Sequence, residues 1–153
     1  MKKPSNTYKA AADWETRIRN MGADPFLTHG VDIESHFLNA EHLAKLNGVD
    51  VKEISALLTA ATKASRDVSV EKYVNGRTDI EKKNGTFGKL NIGQLATEAP
   101  RKVDSDPARY RHAKTILRDI RHQFQATHEC NLKVMERSDS LNIDELSTLA
   151  KKL

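Results

Sequence analysis

Residues 106–124 read Asp-Pro-Ala-Arg-Tyr-Arg-His-Ala-Lys-Thr-Ile-Leu-Arg-Asp-Ile-Arg-His-Gln-Phe. Tyr110, Ala113, Leu117, Ile120 and Phe124 recur at spacings of 3, 4, 3 and 4, the repeat that lines one face of an α-helix. Asp106 supplies an N-cap, and Pro107 sits at the first helical position, where its missing N–H costs nothing. The pattern predicts a long helix over about 107–136, with a bend or break near Thr127, where the apolar stripe loses phase and passes to Ala126, Cys130 and Val134. A second stripe, Arg111, Lys114, Arg118 and Arg121, lies beside the first rather than opposite it. One helix is therefore expected to carry a core face and a flanking cationic face suited to an acidic protein surface or to phosphates.

The rest of the chain reads as further helices around this one. Thr7–Met21 carries Ala11, Trp14, Ile18 and Met21 on one face, and Gly22 ends it. Asp32 is expected to cap a second helix to Asn47, with Ile33, Phe37, Leu43 and Ala44 inward, and Gly48 breaks it. Asp50-Val51-Lys52-Glu53 reads as a capping box that opens a third helix to about Arg66. Four of the seven glycines fall between Asp67 and Pro100, with Asn-Gly pairs at 75 and 84. Short helices near 69–74, 79–83 and 91–98 with a mobile segment over about 75–93 are expected there, a hairpin across Asn75-Gly76 being the competing reading. Ser138–Leu141 reads as a turn, and Asn142 as the cap of a last helix with Ile143, Leu146, Leu149 and Leu153 inward. The expectation is a disordered stretch 1–6 and a single all-α domain over 7–153. It is a bundle of five or six helices in which Trp14, Phe37, Ile54, Leu57, Leu117, Ile120 and Phe124 are buried together.

Composition agrees with that class. A chain of 153 residues, 38% apolar and 30% charged, is long enough to bury a core without disulfides or metals. Cys130 is the single cysteine, so no internal disulfide can form; the expectation for it is a core thiol. The basic start, Met-Lys-Lys-Pro-Ser-Asn, has no apolar run behind it, and no stretch approaches the roughly 18 apolar residues of a membrane span. A cytoplasmic protein that contacts no membrane is the default expectation, with signal-peptide-independent secretion left open. The net charge is +4. Seven bases against three acids between Arg101 and His122 account for all of it.

The segment Leu43-Ala-Lys-Leu-Asn-Gly-Val-Asp-Val-Lys-Glu-Ile-Ser-Ala-Leu-Leu58, within residues 39–58, resembles the helix-turn-helix of phage and bacterial repressors. Ala44 stands four residues before the turn glycine, Gly48, and Ile54 six after it, with Leu43 and Leu57 flanking. A small residue lets the helices approach, a glycine takes the left-handed turn, and a branched residue locks the second helix on the first. Asn47 departs from the apolar or small residue of that family. The resemblance implies that Val51, Lys52, Ser55 and Ala56 read bases in duplex DNA while Arg111, Lys114, Arg118 and Arg121 hold phosphates.

Residues 31–66 nonetheless hold four bases against five acids, a poor surface for a polyanion. An acidic protein partner therefore ranks ahead of DNA. Motifs of catalysis are sparse: His128 and Cys130 point about 160° apart on a helix, and the pairs His36/His42 and His122/His128 are six apart, off any shared helical face. No phosphate loop, dinucleotide glycine triad or nucleophile elbow occurs. The expectation is a non-catalytic recognition module without cofactor or metal, of the kind used as bacterial or phage accessory proteins or host-delivered effector modules. A helix-turn-helix DNA-binding protein is the alternative, and an enzyme whose site is built from residues distant in sequence comes third.

Overall fold

The computed structural model describes residues 6–23, 25, 33–136 and 138–141. They form an all-α fold with seven α-helices: α1 (Asn6–Asn20), α2 (Ala40–Asn47), α3 (Val51–Ala64), α4 (Arg66–Lys83), α5 (Ile92–Ser105), α6 (Pro107–Tyr110) and α7 (Ala113–His128). Two 3₁₀ turns, Ile33–Phe37 and Phe87–Lys89, join the set. No strand occurs among the described residues. Residues 1–5, Asp32 and the expected last helix from Asn142 lie outside the described residues.

The core is made by α2, α3 and α7 with the extended stretch after α7. Leu43, Ala44, Ile54, Leu58, Ile116, Leu117, Ile120 and Phe124 are all buried in one cluster, joined by Leu132 and Val134. α7 runs antiparallel to α3, since Glu53 meets His128 at one end and Thr62 meets Arg111 at the other. A second hairpin, α4 with α5, is tied at its open end by Arg66 to Asp104 and buries Leu95, Ala99 and Val103. Trp14, expected in the core, is 44% exposed, and Phe37 and Leu57 are only half-buried against the cluster.

The long helix of the sequence reading is two helices. Asp106 does cap, accepting from the Arg109 amide at 3.2 Å with Pro107 at the first position, but α6 stops after Tyr110. Arg111 is extended (φ −64°, ψ 142°). The unbroken spacing conceals a change of partner: the Tyr110 ring meets Tyr73 of α4 edge-on at 5.6 Å, whereas Ala113 onward faces the core. The break also carries the Arg111 guanidinium to Leu38 O at 2.8 Å. α7 ends at His128, close to the expected break, where Glu129 adopts a left-handed conformation (φ 55°) and its N–H bonds Gln125 O. Beyond it the chain is extended, so that Leu132 and Val134 are buried while Asn131, Lys133 and Met135 are exposed, the period of two of an extended strand. Cys130 is exposed rather than a core thiol.

Two other boundaries move for identifiable reasons. α2 begins at Ala40, not after Asp32, because Asn39 accepts from the His42 amide at 3.1 Å; an asparagine that caps competes with continuing the helix. Asn75-Gly76 makes no turn, and α4 passes through both. The Asn84-Gly85 pair does end a helix, with Gly85 at φ +67°.

Candidate functional site

The α2–α3 hairpin turns at the expected glycine. Gly48 is left-handed (φ 66°, ψ 31°) and its N–H bonds Ala44 O, while Ala44 and Ile54 are buried between the helices. Asp50 caps α3 by accepting from the Lys52 amide at 2.7 Å. The capping box is incomplete, because the Glu53 carboxylate turns to His128 Nε2 at 2.5 Å instead of reaching back. His128 in turn stacks on Phe124, ring centres 4.3 Å apart. The residues matched to base reading, Val51, Lys52, Ser55 and Ala56, are all exposed, and together with Thr59, Ala60 and Lys63 they line one shallow surface of α3.

Asn47, the departure from the repressor pattern, has a structural role. Its side-chain nitrogen donates to Lys133 O at 2.9 Å and its oxygen accepts from Lys133 N at 2.8 Å, so it pairs with the extended stretch as a backbone would. His42, fully buried, bonds Val134 O through Nε2 at 2.8 Å and Ser138 Oγ through Nδ1 at 2.7 Å. A carbonyl can only accept, so Nε2 carries the proton and, in the neutral ring, Nδ1 accepts from the serine hydroxyl. Lys45 reaches Asp139 at 2.8 Å. One face of α2 is therefore occupied by Lys133, Val134, Ser138 and Asp139.

The four cations of the second stripe separate. Lys114, Arg118 and Arg121 are exposed and border one groove of about 450 Å³ on α7, shared with Glu34, Leu117, His122, Gln125 and Met135. Lys114 lies 3.7 Å from Glu34 and Arg118 3.2 Å from Asp119, and their side chains are 69% and 77% exposed; such pairs are weak and leave the charges available. Arg111 leaves the stripe. It sits at the α6–α7 break, half-buried, and lines a different cleft with Ser55, Thr62, Lys63, Arg66 and Asp104. The α7 groove shares no residue with the α3 surface, so Lys114, Arg118 and Arg121 do not border the candidate base-reading face, whereas the Arg111 cleft shares Ser55, Thr59 and Lys63 with it.

The Arg66–Asp104 pair at the mouth of that cleft is bidentate, at 2.6 and 2.7 Å. The guanidinium holds the Asp104 carboxyl below the ordinary aspartate value, chiefly through these hydrogen bonds. No group of three His, Cys, Asp or Glu side chains fit to hold a metal occurs among the described residues, and no helix among them is long and apolar enough to cross a membrane. No protein family, curated protein or solved structure matches the chain.

Proposed function

We propose that the chain is a non-catalytic recognition module that binds an acidic protein surface through the outer face of α7. The observation that carries this reading is the common groove of Lys114, Arg118 and Arg121, three exposed cations with Met135, itself 59% exposed, on its border. Cations around an apolar contact suit a partner that presents carboxylates around a hydrophobic residue. A second reading, DNA binding by α3, is favoured by the exposed face of Val51, Lys52, Ser55 and Ala56 and by the engagement of both nearby acids, Asp50 in the cap and Glu53 with His128.

A variant with Lys114→Gln, Arg118→Gln and Arg121→Gln separates the two. All three side chains are exposed, so folding should be unaffected. Retention on immobilised polyglutamate at low salt should fall by about tenfold or more, taking roughly 0.5–1 kcal/mol for each charge. Unchanged retention overturns the acidic-partner reading. Binding of the parent to duplex DNA with a log–log salt slope of about −0.9 per phosphate contacted, reduced by Lys52→Gln, would establish the second reading in its place.

A further inference from the structure

The Arg111 cleft shares no residue with the α7 groove and adjoins the α3 surface at Ser55, Thr59 and Lys63, but it differs from both in what it offers chemically. It encloses about 580 Å³, within the range of roughly 300–1,000 Å³ typical of small-ligand sites. Its apolar lining includes Leu58 of α3 and Val103 of α5, both buried. Its charges do not cancel. Asp104 is taken by Arg66 through two short hydrogen bonds, which leaves Arg111 and Lys63 as the uncompensated pair.

Arg111 is placed as a cation that lacks an anion. Its Nη2 donates to Leu38 O at 2.8 Å, its Nη1 makes only a 3.5 Å contact to Thr62 Oγ1, and its Nε is buried without a partner. Among the described residues no carboxylate lies within ion-pair distance of it. Burial pulls the guanidinium below its ordinary value, with no neighbouring acid to raise it. An arginine does not lose its proton at accessible pH, so its desolvation must be met by hydrogen bonds and counter-charge. The break between α6 and α7 holds the side chain in this position.

We infer that the cleft binds a small organic carboxylate with an apolar body, the carboxylate facing Arg111 and Lys63 and the hydrocarbon lying against Leu58 and Val103. The apolar walls favour the body, and the unpaired guanidinium selects the anion over a neutral analogue of the same shape.

The test uses anilinonaphthalene sulfonate as probe, with phenylnaphthylamine, the same ring system without the sulfonate, as its neutral match. The sulfonate should bind the folded chain at one site and about tenfold or more tighter than the neutral compound, the usual gain from a charge-assisted hydrogen bond. Octanoate should displace it and octanol should not. Arg111→Met should erase the preference for the anion. Ala108→Trp, an exposed lining position, should weaken both probes by filling the cleft, and it decides the matter if Arg111→Met fails to fold. The α7 variant with Lys114, Arg118 and Arg121 neutralised should bind the probe as the parent does. Equal binding of the two probes, sulfonate binding that survives Ala108→Trp, or its loss in the α7 variant overturns the inference.

Discussion

Arg111 shows how much a single side chain can decide. Its spacing from Lys114 and Arg118 is that of a neighbour on one helical face, and only the extended backbone at this position takes it away. Nothing in the spacing announces that change, because Tyr110 keeps the apolar repeat in phase while serving α4 instead of the core. Burial was legible where the repeat faces the α2–α3 hairpin, at Leu117, Ile120 and Phe124, whereas the same kind of repeat in α1 leaves Trp14 and Met21 exposed. Leu117→Ala should therefore cost about 2–5 kcal/mol, the range for emptying a packed leucine site. Trp14→Ala should stay within about 0.5 kcal/mol, as surface changes do. Chemical denaturation of both variants checks the contrast, and an equal shift in midpoint would refute it.

Among the elements, the turn of the α2–α3 hairpin was legible, because Gly48, Ala44 and the Asp50 cap each act within a few positions of chain, while the start of α2 at Ala40 and the long-range partner of Glu53 were not. α4 was not. Asn-Gly favours a turn locally, but the helix from Arg66 to Lys83 lies against α5 and α6, and that packing outweighs the cost of one interior glycine, about 1 kcal/mol. An added methyl group at Gly76 would meet nothing within 4 Å, and no positive φ is needed there. Gly76→Ala should accordingly stabilise the protein by about 0.4–1 kcal/mol, raising the thermal midpoint by a few degrees. A lowered midpoint would mean that the helix is interrupted at Asn75-Gly76 in solution. The Arg111 cleft had no signal of this local kind, since Leu58, Arg66, Asp104 and Arg111 come from four separate places in the chain.

Across the whole molecule, α2 is joined to Lys133, Val134, Ser138 and Asp139 by side chains rather than by a shared helix. Asn47→Leu, which restores the apolar character of the repressor pattern, should cost about 1–2 kcal/mol by removing its two hydrogen bonds to the Lys133 backbone. Amide exchange at Lys133 should accelerate, and unchanged protection there would deny Asn47 its clamping role. The same clamp sets an order of events as the chain is made. His42 and Asn47 are separated from their partners by 86–96 positions, and closing a loop of that length costs on the order of 4 kcal/mol in chain entropy. The α2–α3 hairpin is synthesised well before those partners exist. Until they arrive, Leu43 and Ile54 lack the cover of α7, so the nascent hairpin presents apolar surface and depends on late closure, or on a chaperone, to stay out of aggregates.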